Sequence, residues 1–153
     1  MTIQLLILPL KRQPDIGIIG KGNLYLWKEE GLLVIILREH SVAYQLELIP
    51  EVVAYARNDH LDFTIPYEWQ GTQHEYRPDY LVYLKTEKGN IIKVILEIKG
   101  FETEKDRQKQ IAAKRWVRAV NHHGEFGRWV FLVCKEPRQL RETLNLHMLS
   151  QWT

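Results

Sequence analysis

A chain of 153 residues with 45% hydrophobic content can bury one core but not two. Its formal net charge of +2 is too small to identify a polyanionic partner, and its single cysteine, Cys134, excludes an internal disulfide and fits a reducing compartment. The apolar runs Ile3 to Leu10 and Leu32 to Leu37 are too short to span a bilayer, and no basic segment precedes the first, so the expectation is a cytoplasmic protein with no membrane partner.

In chain order, residues 1–36 hold those two runs, separated by Pro14, Gly17, Gly20 and Gly22. Weak strands and turns fit that pattern, and the segment reads as an N-terminal extension whose fold is left open, with one domain over 37–153. Val42, Leu46, Ile49, Val53 and Ala56 recur at helical spacing. Because Pro50 disfavours a helical Ile49, the spacing predicts two helices, near 39–48 and 51–57. Asp62 to Trp69 alternates and predicts a strand, leading through Gly71 into a strand that ends in Pro78-Asp79. Tyr80 to Lys85 and Lys93 to Lys99 predict two further strands, joined by a tight reversal at Lys88-Gly89-Asn90. From Glu104 to Asn121, Ala112, Trp116, Ala119 and Val120 mark an amphipathic helix. Gly124 and Gly127 break it before the apolar strand Trp129 to Cys134, and Gln139 to Leu149 predicts a terminal helix.

The chemistry concentrates between Arg77 and Gly100. Val94, Ile95, Leu96 and Ile98 read as a strand buried on both faces, so placing Glu97 and Lys99 at its end carries a desolvation cost that calls for a partner. Side chains alternate along a strand, which puts Ile95, Glu97 and Lys99 on one face and Leu96 and Ile98 on the other. Asp79 opens the preceding strand, and the tight reversal makes the start of that strand the neighbour of the end of the next. Asp79, Glu97 and Lys99 are therefore expected to converge at one end of a hairpin. Two carboxylates bind a hard divalent ion such as magnesium through oxygen and leave positions for water and a phosphate oxygen. Such an ion polarises a phosphoryl group and lowers the pKa of bound water, while a neighbouring lysine can orient or deprotonate that water or stabilise the developing charge. The trio suits phosphodiester hydrolysis. Its bland competitor is a surface ion pair between Glu97 and Lys99.

Pro78-Asp79 followed by Glu97-Ile98-Lys99 resembles the PD-(D/E)xK nuclease superfamily. The blocks Val42 to Glu47, Ala54 to Leu61, Phe63 to Tyr67, Tyr76 to Tyr80, Leu96 to Phe101 and Arg115 to Asn121, with Gly124 and Phe126 to Trp129, are similar to the C-terminal endonuclease domain of type III-like, helicase-linked restriction proteins. The similarity spans roughly residues 38–145. It implies an α/β, restriction-endonuclease-like core in a single domain: a helix, a three-stranded antiparallel hairpin sheet, a helix and a strand. It also implies a DNA endonuclease using Mg2+ or Mn2+, with Asp79 and Glu97 as metal ligands, the Ile98 carbonyl near the ion and Lys99 as the catalytic lysine. In many members a glutamate of the first helix faces the metal, and Glu39 matches that position best; the competing reading is a helix N-terminal glutamate favoured by the macrodipole. No Gly-rich phosphate loop of the GxxxxGK[ST] kind occurs, so a helicase or translocase motor would be a separate partner or absent. Three alternatives stay open: a dimeric structure-directed nuclease, a nucleic-acid-binding domain with a decayed site, and a nuclease subunit needing a separate motor.

The remaining features surround that centre. From Lys99 to Arg118 there are seven basic residues against three acids. Such a stripe can hold phosphates, or it can be a solvated helix face. Lys105, Lys109, Lys114 and Arg118 are its candidate DNA contacts, joined by Arg77, which flanks the site with Tyr76. His122 and His123 are adjacent and no histidine pair has helical metal-ligand spacing, so zinc is not expected. Cys134 reads as a buried inert thiol, and Trp116 and Trp129 as core.

Overall fold

The computed structural model describes residues 24–29, 32–37, 42–59 and 61–145, the first two segments as backbone only. β1 (Leu24–Glu29) and β2 (Leu32–Leu37) pair antiparallel with each other, Leu24 opposite Leu37. The rest is a mixed α/β arrangement. In order come α1 (Val42–Leu48), β3 (Val52–Arg57), β4 (Ile65–Trp69), β5 (Thr72–Tyr76), β6 (Tyr80–Lys85), β7 (Ile91–Ile98), α2 (Glu104–His123) and β8 (Arg128–Cys134). A 3-10 turn at Pro137–Gln139 follows, then helix over 140–145. No helix of the described residues is long and apolar enough to cross a membrane.

The main sheet runs β3-β6-β7-β8, antiparallel except that β8 lies parallel to β7. Parallel pairing needs a crossover, and α2 supplies it. β7 is central and apolar on both faces: Val94, Ile95 and Leu96 are fully buried. One face packs Val94 and Leu96 with Val82 and Leu84 against Val42, Ala43 and Leu46 of α1, and against Leu140 and Leu144. The other packs Ile95 and Leu81 against Ala112, Ala113 and Val117 of α2, with Ile65, Tyr67 and Tyr76 of the separate β4–β5 hairpin closing that layer. The sheet is thus sandwiched, and β7 alternates between the layers with the period of two that a strand requires. Trp129, stacked on Phe63 and edge-on to Trp116, fills the α2 side, as expected of core tryptophans.

Three expectations need correction. Residues 51–57 are not a helix: Val52–Arg57 is strand β3, paired antiparallel with β6. The spacing of Val53 and Ala56 that suggested a helix does not select the core: it is Val52 and Tyr55 that face the α1 layer, three positions apart because the register shifts between Val52 and Ala54. The β-branched pair Val52-Val53 and the gain from strand pairing outweigh the apparent period. The second correction concerns the strands before Asp79. The alternating segment becomes a strand only from Ile65, and its partner ends at Tyr76, so Pro78-Asp79 is a connection leading into β6. The third is the basic stripe, taken up below. The first helix is described only from Val42 and the terminal one only to 145; Glu39 and the run Ile3 to Leu10 lie outside the described residues.

Candidate active site

The β6–β7 register pairs Tyr80 with Leu96, so the next position outward sets Asp79 opposite Glu97. Both lie on the face that carries Ile95 and Leu81, toward α2, and Lys99 continues the same alternation. Asp79 is fixed from both sides. Its carbonyl accepts the Asn58 amide at 2.8 Å, and its Oδ2 accepts the Ile98 amide at 2.8 Å. Asn58, buried at the end of β3, donates its side-chain amide to the carbonyls of Phe63 and Pro78 at 2.8 and 2.9 Å, tying the β3 end to the segment that presents Asp79.

Glu97 is half-buried, and its Oε2 accepts the hydroxyl of buried Tyr76 at 2.6 Å. Burial pushes the Glu97 carboxyl above the ordinary glutamate range and the Asp79 charge adds to this, while the Tyr76 hydrogen bond, Lys99 and Lys109 pull the other way. The Tyr76 phenol is in turn driven far above its usual range, first by burial and then by the Glu97 charge, so it serves as a donor. Asp79 Oδ1 and Glu97 Oε1 have no protein partner among the described residues. Two carboxylates opposite one another, with one open oxygen each, are hard donors of the kind that could hold a divalent cation. Among the described residues no group of three or more His, Cys, Asp or Glu could hold a metal, so the pair is what this part of the chain offers.

Lys99 reaches Asp106 of α2, Nζ to Oδ1 at 3.1 Å, and that hydrogen bond raises the Lys99 pKa above the ordinary lysine value. Asp106 is buried. It is the third residue of α2, and it completes a capping box with Thr103, whose hydroxyl is the chief cause holding the Asp106 carboxyl far below its usual range. Lys109 joins at 3.4 Å from Asp106 Oδ1 and lies 5.8 Å above the Tyr76 ring. Sequence reasoning counted Asp106 only as one of the acids diluting the basic stripe. The signal was present as Thr103-x-x-Asp106, a helix-start pattern directly after the lysine.

The other candidates scatter. Lys105 and Lys109 share the start of α2, but Lys114 follows Lys105 by nine residues, two and a half turns, and so points to the opposite side. Lys114 and Arg118 instead flank a shallow groove of about 380 Å³ with Ile111, Val117 and Phe131. Arg77 is exposed and bonded to the Asp59 carbonyl at 3.3 Å and to Asp62 at 3.5 Å. The expected single stripe is two separate basic patches. Cys134 is buried, with its thiol pushed up chiefly by burial. No family model, no curated protein and no solved structure matches this chain.

Proposed function

We propose that the chain is a metal-dependent DNA endonuclease with a restriction-endonuclease-like core, in which Asp79 and Glu97 hold Mg2+ or Mn2+ together with the Ile98 carbonyl. The observation that carries this reading is the cross-strand meeting of Asp79 and Glu97 on the face from which Lys99 emerges. The order helix, three antiparallel strands, helix, parallel strand supports it, with β3 as the first strand of the three and β4–β5 as an insertion. When bound, the cation polarises the phosphoryl group and activates water. The protein's own residues do the rest. Tyr76 orients Glu97 through its hydroxyl, and the Ile98 amide orients Asp79. The 3.1 Å contact with Asp106 favours the Lys99 ammonium, and on this reading Lys99 acts as a cation countering charge on the phosphate. Lys105 and Lys109 meet the DNA backbone at the site, Arg77 beside it, and Lys114 and Arg118 farther along α2. A role in restriction or DNA defence, with or without a separate helicase or translocase, belongs to the same reading.

The test is nicking of supercoiled plasmid by the purified chain in magnesium, manganese or EDTA, beside folded Glu97→Ala and Lys99→Ala proteins. Metal-dependent nicking that falls by at least about a hundredfold in both variants is expected. Cleavage that survives both substitutions, or none with either ion, would overturn the reading as an autonomous nuclease.

A further inference from the structure

Asp106 is the one buried carboxylate among the described residues, and its two oxygens have different partners. Oδ2 accepts the amide and hydroxyl of Thr103 at 2.9 and 2.7 Å, which is all that capping α2 requires. Oδ1 is surplus to the cap, and it takes Lys99 at 3.1 Å and Lys109 at 3.4 Å. Both lysines also act on Glu97, as does Tyr76, over whose ring Lys109 lies. A line of contact therefore runs from Asp106 through Lys109 and Tyr76 to Glu97, while Lys99 stands on the Glu97 face of β7 and acts on that carboxylate through its charge.

We infer that Asp106 is the positioning residue of the site: through Oδ1 it holds the Lys99 ammonium beside the Asp79–Glu97 pair instead of on it, leaving the pair's open oxygens to a divalent cation. Without a charge at Asp106, Lys99 still emerges on the face of β7 that carries Glu97, two residues before it and opposite Asp79. An ammonium released there forms a charge-assisted bond with the pair and competes with the cation. The lysine is tethered to the first turn of α2, so docking of that helix and assembly of the site are one event. The inference rests on the nuclease reading and extends it to a residue outside the Asp79, Glu97 and Lys99 trio.

Asp106→Asn separates the two roles, because an amide oxygen still accepts from Thr103 while the charge that holds Lys99 is gone. Mn2+ is titrated into the full chain and the free ion followed by electron paramagnetic resonance, with plasmid nicking and melting temperature measured on the same proteins. The expected result is Mn2+ affinity weakened about ten- to hundredfold in Asp106→Asn, with kcat lowered and KM for plasmid within about twofold. Lys99→Ala/Asp106→Asn should bind Mn2+ as Lys99→Ala does, and Asp106→Glu should restore most of the affinity. Asp106→Ser, which keeps a capping oxygen, replaces the asparagine variant if that one does not fold. Unchanged Mn2+ binding in Asp106→Asn, or a loss that simply adds to that of Lys99→Ala, overturns the inference while the nuclease reading stands. A wild-type chain that neither binds Mn2+ nor nicks plasmid overturns both.

Discussion

Glu97 is a carboxylate held where its charge is costly: half-buried, opposite Asp79, and raised in pKa by both causes. A carboxyl with a raised folded-state pKa binds its proton more tightly in the folded state, so stability falls as pH rises through the window between its unfolded and folded values. Glu97→Gln removes that penalty and still offers Tyr76 an acceptor. It should stabilise the metal-free protein at neutral pH by about 1 kcal/mol, a gain that shrinks as pH falls and vanishes below the unfolded glutamate range. Urea unfolding at several pH values checks this, and a variant less stable than wild type at pH 7 would refute it. That Asp79 lies opposite Glu97, with Lys99 on the same face, was legible in the sequence because strand alternation and a tight reversal are local rules. Tyr76 and Asp106 were not assigned their partners, since each acquires its role only when β5 or α2 docks on the sheet. Lys93 was equally hidden: it reads as the polar start of a strand, yet it lies buried between the Tyr83 and Trp129 rings and donates to the Phe126 carbonyl at 2.8 Å.

Among the elements, β3 shows how a pattern can mislead. Val53 and Ala56 continue a helical spacing from Ile49, yet the chain is a strand with an irregular register, and only the partner strand β6 settles the matter. The strands β6 and β7 and the helix α2 were readable because each is long, periodic and bounded by turn or cap residues; Gly124, at φ 82°, ends α2 in the left-handed conformation that glycine favours. What the sequence did not disclose is how β3, β4 and the segment before β6 are joined. Asn58 does this with one amide group serving two carbonyls. Asn58→Ala leaves both buried carbonyls without that donor and should cost about 2 kcal/mol in urea unfolding with the slope unchanged. Because the same side chain holds the Pro78 carbonyl next to Asp79, this variant should also lose Mn2+ affinity, although the Asn58 backbone amide still meets the Asp79 carbonyl; a loss of neither would show the staple to be idle.

Across the whole molecule, the two layers assign separate tasks to the two faces of one sheet. The α1 face is apolar packing, and the α2 face carries the carboxylates, the lysines and the basic patches. α2 is about 30 Å long at 1.5 Å per residue, so its two patches are separated along and around the helix, and under the proposed nuclease function they would meet different parts of a duplex. Lys114→Ala with Arg118→Ala should reduce the slope of log affinity against log salt by about two if each neutralises one phosphate. Fluorescence anisotropy of a labelled duplex across a salt series measures it, and an unchanged slope would leave that patch out of DNA binding.

The residues of the site share one further property: Tyr76, Asp79, Glu97, Lys99, Asp106 and Lys109 all belong to a single uninterrupted stretch of chain. Closing the short loops between them costs little entropy, so the constellation assembles from near neighbours in sequence and depends on distant segments mainly for support. In hereditary terms the chemistry is a cassette. Under the proposed nuclease function, one small deletion within that stretch would remove the carboxylates and lysines together while leaving α1 and the Asn58 staple in the chain.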